Sequence, residues 1–393
     1  MIGSYALVLA TAAGVTWVLV PLAMRLARRL GAVVAPGDRH IHTRPTPTMG
    51  GLAMFVGMLA GLGVASSLDQ FHTVFESPAN VIGVVAAATV MFGSGLIDDL
   101  RDVSAPAKVA GMVLSGSILL LSGNSIVNVP LPFFGFTVLT QDLAALVTVI
   151  WVVGIANAVN LIDGLDGLAT GLMVIASGSF LLYAIRLDQA GALFTGNIGP
   201  LLLVIILGMC LGFLPWNFHP AKVFMGDSGA LLLGLLMASS TIAVGGQSDD
   251  SFTGQSWFFF APLVIPLVIL GIPVLDVIFA VLRRATRRSG LANADKDHLH
   301  HRLLRLGHGY RQTVVILWLW TGLLSAFALY PAWSGKGIAM IPIAVAALVL
   351  LLFTMLAPWF GRRNVDGASV AEEPPVVVDV TGAPAARDHD VPA

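Results

Sequence analysis

The stretch "NAVNLIDGLDGLATG", Asn157 to Gly171, sets two carboxylates, Asp163 and Asp166, just after two amides, Asn157 and Asn160. A second pair, Asp98 and Asp99, stands in "GLIDDLRDVSAPAK", which ends on Lys108. A further acid, Asp227, lies between glycines in "VFMGDSGALLLG", directly ahead of an apolar run. Adjacent carboxylates repel one another unless a cation or a proton lies between them. Ionisable groups at the edge of apolar segments are costly enough to mark function by default. Acids of this kind can hold Mg²⁺ against a phosphate, and the ammonium of Lys108 can meet a phosphate directly. The helix expected to start at Gly226 offers free N–H groups to an anion. If a helical turn runs through the first stretch, Asn157, Asn160, Asp163 and Asp166 fall at i, i+3 steps and share a face. Each cluster also has a plain structural reading: solvated acids at a helix end, a polar interhelical network, or an Asp N-cap at 227.

A fourth cluster, "DKDHLHHRLLRLG", carries His298, His300, His301 and Arg302. Metal-binding histidines on one helix usually sit at i, i+4. No cysteine helps here, and the basic surroundings repel a cation. Anion recognition is therefore favoured over zinc, against the plain reading of a solvated basic loop. The segment "RHIHTRPTPTMGG" adds further bases and the Gly50–Gly51 pair. It reads either as a loop that closes over a site or as a rigid connector.

The elements that must position these residues are apolar. The chain of 393 residues is 56% hydrophobic and 11% charged, with a mean hydropathy of +0.87. Soluble domains carry about 25% charged residues, so an all-α polytopic membrane protein is expected. At about 20 apolar residues per crossing, eleven candidate spans emerge: 5–27, 50–68, 81–97, 107–121, 143–158, 168–185, 200–213, 230–244, 257–282, 313–330 and 338–359. The opening residues lack a basic n-region and a clear cleavage site, which reads as a retained first span. Of the 21 Lys and Arg residues, 19 fall in alternate loops on one side, leaving only Arg186 and Lys336 opposite. The positive-inside bias then puts the N-terminus outside, the C-terminus in the cytoplasm, and all four polar clusters on the cytoplasmic face. Residues 1–360 form the expected membrane domain, and 361–393, rich in Pro and acids, read as a disordered cytoplasmic tail. The net charge of −1 argues against a nucleic-acid partner, and the lone Cys210 excludes an internal disulfide. No internal repeat is visible, which weakens a cation-coupled transporter reading. Acids for a metal, bases for phosphate and amides for a base or sugar, all at a lipid boundary, point to phosphoryl transfer between a soluble nucleotide and a lipid phosphate.

Four motifs in this order, "DDLRDVSAPAK", "NAVNLIDGLDGLATG", "VFMGDSGA" and "HLHHRL", resemble the polyprenyl-phosphate N-acetylhexosamine-1-phosphate transferases, the superfamily of MraY, WecA and TagO. The resemblance runs from the first basic loop to the last span. It implies ten or eleven membrane helices, a cytoplasmic active site and transfer of a sugar 1-phosphate from a UDP-sugar to polyprenyl phosphate, decaprenyl or undecaprenyl, with release of UMP. It implies Mg²⁺, with Mn²⁺ as a substitute, held by Asp227. It further implies that Asp98 contacts the lipid phosphate with Asp99 beside it and that Asn157, Asn160 and Asp163 line the nucleotide pocket. Phe224 is then the ring that stacks on uracil, and Asp166 is a further catalytic candidate. "DHLHHRLL" is similar to the WecA and TagO group and implies UDP-GlcNAc as donor. "TPTMGG" is closer to the MraY form, so transfer of phospho-MurNAc-pentapeptide is the alternative. The expected partners are UDP-GlcNAc, polyprenyl phosphate and the membrane, with a homodimer as a further option.

Overall fold

The computed structural model describes residues 2–35, 45–131, 135–246, 264–276, 278, 299–334 and 340–362. The chain is built from α1 (Ile2–Leu30), α2 (Gly50–Ser66), the short α3 (His72–Glu76), α4 (Pro78–Leu100), α5 (Ala105–Leu121), α6 (Gln141–Ile162), α7 (Leu168–Gln189), α8 (Gly199–Asn217) and α9 (Gly226–Gly245). It continues with α10 (Val264–Ile269), α11 (Leu299–Arg305), α12 (Tyr310–Ser334) and α13 (Met340–Arg362). Two small antiparallel hairpins complete it: β1 (Val33–Val34) with β2 (Thr46–Pro47), and β3 (Asn128–Leu131) with β4 (Gly135–Val138).

The bundle is organised around α9. Every residue from Ser228 to Gly245 is buried, and α9 packs against α2, α4, α6 and α8. A helix apolar all round must be enclosed by its neighbours or by lipid, and here the neighbours enclose it. The hydroxyls of its second half are satisfied within the helix: Ser239 donates to the Leu235 carbonyl at 2.9 Å and Ser240 to that of Leu236 at 2.8 Å. The Trp151 indole of α6 adds a tie between helices, donating to Thr241 Oγ1 at 2.7 Å. Small residues allow the close crossings, as is usual where lipid leaves no hydrophobic drive between helices. A Cβ on Gly234 would lie 2.5 Å from Ala156 Cα, and one on Gly95 would lie 2.5 Å from Ser228 Cα.

Seven described helices, α1, α4, α6, α7, α8, α9 and the first 21 residues of α12, are long and apolar enough to cross a membrane. An eighth appears if α2 and the helical turns after it, bent by 95°, count as one span. Large side chains such as Leu7, Trp17 and Val18 on α1, and Leu146 and Ile150 on α6, are exposed, as lipid-facing residues are. The molecule is an all-α polytopic membrane protein. Eleven crossings exceed what the described residues show. The helix at the fourth expected span, α5, is of only 17 residues, the described apolar part of α13 is also short, and 257–282 is described only in part. Gly361 and Arg362 extend α13, two residues past the expected domain end, and the rest of the tail lies outside the described residues.

Candidate active site

The ends of four helices, α4, α5, α6 and α9, meet at one place. The last turn of α4 carries Asp98 and Asp99. The chain leaves that helix at Arg101, in extended conformation, and re-enters α5 within four residues. Asp98 Oδ1 accepts from the Val103 N–H at 2.9 Å and ties the connection. The reversal brings Lys108, in the first turn of α5, back over Asp98: Nζ stands 2.6 Å from Asp98 Oδ2. The same ammonium lies 2.7 Å from Asp227 Oδ2, at the start of α9. Asn160, near the end of α6, donates to that oxygen at 3.2 Å. The three charged side chains are partly open, at 13% for Asp98, 23% for Asp227 and 28% for Lys108, so a solute can reach them.

Asp99 does different work. Its Oδ1 accepts from the Asp227 N–H at 2.8 Å, and its Oδ2 accepts from the hydroxyl and the N–H of Ser228. It caps the free N–H groups of α9, supplied from a neighbouring helix instead of from the preceding residue. Gly226 makes this approach feasible: its φ of +73° is left-handed, and a Cβ there would lie 2.5 Å from both Asp99 oxygens. The segment ahead of α9 is held as firmly. Phe224 N–H donates to the Pro47 carbonyl at 2.9 Å, while Gly50 and Gly51 donate to the carbonyls of Phe224 and Met225 at 3.0 and 2.9 Å. Of the two readings for the first loop, residues 45–51 therefore act as a rigid connector under α9. Residues 36–44 lie outside the described residues.

The expected shared face of Asn157, Asn160, Asp163 and Asp166 does not form. α6 ends at Ile162, and α7 begins after Gly167, which has a φ of +76°. Asp163 and Asp166 lie in the non-helical connection, and the two glycines between and after them let the chain reverse within five residues. Asn157 and Asn160 remain one turn apart on α6. Asp163 faces the acid cluster half-buried, and its carboxyl is pushed up to about 7, first by desolvation and then by the charges of Asp227, Asp99 and Asp166. Asp166 is turned away from Lys108. Its Oδ2 accepts from the Ala221 N–H at 3.0 Å and pairs with His219 Nδ1 at 2.8 Å, and its N–H donates to the Tyr310 hydroxyl.

The structure thus brings together Asp98, Asp99, Lys108, Asn160, Asp163 and Asp227, with Phe224 on the segment beneath and Asn157 a turn away. His298 lies outside the described residues. His300, His301 and Arg302 lie on α11, separate in sequence from the cluster. Sequence reasoning missed Ser228, Asn217, His219 and Tyr310. Asn217 is buried at the end of α8, accepts from Gly167 N–H and Thr170 Oγ1, and donates to the Val223 carbonyl. The polar run "WNFHPAK" closing an apolar helix was the available signal.

A cluster of acids bridged by one ammonium, at one end of a bundle of apolar helices, defines a membrane protein with a polar site suited to phosphate-bearing ligands. Residues 81–245 match the family model described as glycosyl transferase family 4. The decaprenyl-phosphate N-acetylglucosaminephosphotransferase of Mycobacterium tuberculosis is 39% identical over 326 residues, covering 81% of this chain and 80% of its own. A probable undecaprenyl-phosphate N-acetylglucosaminyl 1-phosphate transferase of Bacillus subtilis is 34% identical over 307 residues, covering 77% and 78%. The phospho-N-acetylmuramoyl-pentapeptide-transferase of Staphylococcus saprophyticus is 30% identical over 332 residues, covering 79% and 94%. The chain belongs to glycosyl transferase family 4.

Proposed function

We propose that this protein transfers N-acetylglucosamine 1-phosphate from UDP-GlcNAc to a polyprenyl phosphate, releasing UMP and leaving polyprenyl-diphospho-GlcNAc in the membrane. The observation that carries the reading is the ammonium of Lys108 bridging Asp98 and Asp227 at the head of α9. That cluster is a partly open site of both charge signs, and its motifs resemble, in the same order, those of the transferase superfamily. The donor assignment rests on the relatives at 39% and 34% identity, which are named for N-acetylglucosamine, against 30% for the one named for the muramoyl pentapeptide.

In the reaction, an oxygen of the lipid phosphate attacks the β-phosphorus of the donor, and the bond from that phosphorus to the UMP oxygen breaks. Lys108 offers charge to the incoming and departing phosphates. Asp98, bonded through both oxygens to Lys108 and Val103 N–H, orients the lipid phosphate and accepts its proton. Asn160 and Asn157 face the nucleotide, and Phe224 supplies a ring for the base. Asp99 keeps the α9 N-terminus in place and so sets the position of Asp227.

The donor set also fits a divalent cation. Among the described residues no group of three or more His, Cys, Asp and Glu side chains forms a cage. Mg²⁺ is, however, commonly held through one or two carboxylates together with substrate phosphates, and carboxylates that already share an ammonium favour positive charge. Asp227 would hold Mg²⁺ or Mn²⁺, with Asp98 and Asp163 nearby. Such an ion, when bound, neutralises the diphosphate and the charge of the leaving UMP.

The basic residues favour eleven crossings in the plasma membrane, with the N-terminus outside, and the C-terminus and the acid cluster on the cytoplasmic side. Purified protein incubated with UDP-GlcNAc, polyprenyl phosphate and Mg²⁺ should release UMP and form the diphospholipid. Preferential use of UDP-MurNAc-pentapeptide in a competition assay would move the assignment to the muramoyl group. Transport of solute without UMP release would overturn it.

A further inference from the structure

We propose that His219 and Tyr310, acting through Asp166, form a positioning clasp that sets the histidine helix α11 relative to the 163–167 loop and thereby governs sugar-nucleotide binding. This rests on the transferase reading above and deepens it.

The observation is a convergence of three segments distant in sequence. The Asp166 side chain is 8% exposed. Its Oδ2 receives His219 Nδ1 and the Ala221 N–H from the turn after α8, at 2.8 and 3.0 Å. Its own N–H goes to the hydroxyl of Tyr310, the first residue of α12. The His219 and Tyr310 rings lie 4.4 Å apart, and Arg311 donates to the His219 carbonyl at 3.4 Å. The neighbouring turn is also tied, with Asn217 linking Gly167, Thr170 and Val223 and the Trp318 indole donating to the Leu168 carbonyl at 3.2 Å.

Only four residues, Leu306 to Gly309, separate Tyr310 from α11, and they are closed by backbone bonds. The N–H groups of Leu306, Gly307 and His308 go to the carbonyls of Arg302, Leu304 and Leu303. His308 is buried at 4% and its Nε2 meets the Thr354 carbonyl of α13 at 2.7 Å. Leu303 is buried as well. Helix α11 therefore cannot rotate against the start of α12 without breaking several bonds, so whatever fixes Tyr310 fixes α11. The clasp joins α11 to a loop that carries Asp163 on one side and is stitched on the other to the segment carrying Phe224. A buried carboxylate whose bonds all go to remote segments suits alignment of two ligand-binding pieces.

The test measures UDP-GlcNAc and UMP binding by calorimetry on the full-length protein in detergent with Mg²⁺, beside turnover kinetics. Tyr310→Phe keeps the ring and removes the hydroxyl that accepts from the Asp166 N–H. It should weaken UDP-GlcNAc binding roughly 3- to 10-fold, the range of one lost hydrogen bond, with KM rising by more than kcat falls. His219→Ala should do the same, and His219→Asn, whose amide nitrogen stands the same number of bonds from Cβ as Nδ1, should restore most of it. Adding Arg302→Ala to Tyr310→Phe should cost less than Arg302→Ala alone, because a displaced α11 has already lost part of its contact. Unchanged UDP-GlcNAc affinity in well-folded Tyr310→Phe would overturn the clasp, and so would strict additivity with Arg302→Ala. If the wild-type protein binds UDP-GlcNAc but yields no UMP with polyprenyl phosphate, the transfer reading fails while the binding comparison still decides the clasp.

Discussion

Asp227→Asn isolates charge from geometry. Both side-chain hydrogen bonds to Asp227, from Lys108 at 2.7 Å and from Asn160 at 3.2 Å, land on the same oxygen, Oδ2. An asparagine keeps both with its carbonyl oxygen, so the substitution alters only the net charge and the second oxygen. At an effective dielectric constant of about 20, unit charges 2.7 Å apart attract by about 6 kcal/mol. Most of that is not lost from stability. Lys108 retains Asp98 at 2.6 Å, the repulsion of Asp227 by Asp98 is relieved, and partial exposure of the pair screens what remains. The net destabilisation should stay within about 2 kcal/mol, a shift of a few degrees in Tm. Activity should suffer far more. A carboxylate that balances a metal–diphosphate is worth roughly 10²–10³ in rate, so kcat should fall at least that much. UMP release by purified, correctly folded protein measures the rate, and thermal unfolding in detergent measures the stability. Near-normal kcat in a variant that unfolds at the wild-type temperature would refute the reasoning, because the charge of Asp227 would then have no part in the reaction.

Three further outcomes are expected. Asp98 has both oxygens engaged, by Lys108 and by the Val103 N–H, so it orients and does not attack; incubation with UDP-GlcNAc alone should give no stoichiometric burst of UMP, and a phosphosugar trapped on the protein would reverse this. Asp163 is raised from 3.8 to about 7 by desolvation and neighbouring acids. Its contribution favours the protonated fold, being fully present below about pH 4 and lost as pH rises through 7. Wild-type Tm should therefore fall relative to Asp163→Asn between those values, and less so with Mg²⁺ present; parallel pH profiles for the two proteins would count against it. Gly95→Val places side-chain atoms within 2.5 Å of the Ser228 backbone and should cost roughly 1–3 kcal/mol or more by overpacking. Gly93→Ala, with nothing within 4 Å, controls for helix propensity, and equal thermal stability of the two variants would argue against the tight α4–α9 crossing.

By itself the sequence determined the class of protein, because hydrocarbon imposes one requirement that is local and additive: about 20 consecutive apolar residues per crossing. It also determined which polar residues stood out, since a carboxylate at the edge of such a run is conspicuous without any knowledge of neighbours. It could not determine which of those acids meet. Asp98 and Asp227 are brought together only by the crossing of α4 and α9, which depends on Gly95 and on the four-residue reversal that returns Lys108. A helical reading of 157–166 put Asp163 and Asp166 on one face, yet α6 ends at Ile162 and the chain reverses through residues 163–167, which sends the two acids to different partners. Asp99 looked like half of a catalytic pair and turned out to cap a helix 128 residues away in sequence. His219 and Tyr310, 91 positions apart, carried no motif that linked them. Hydrophobic periodicity is written along the chain, whereas the partner of a buried charge is chosen by the packing of distant segments, and only the folded bundle supplies it.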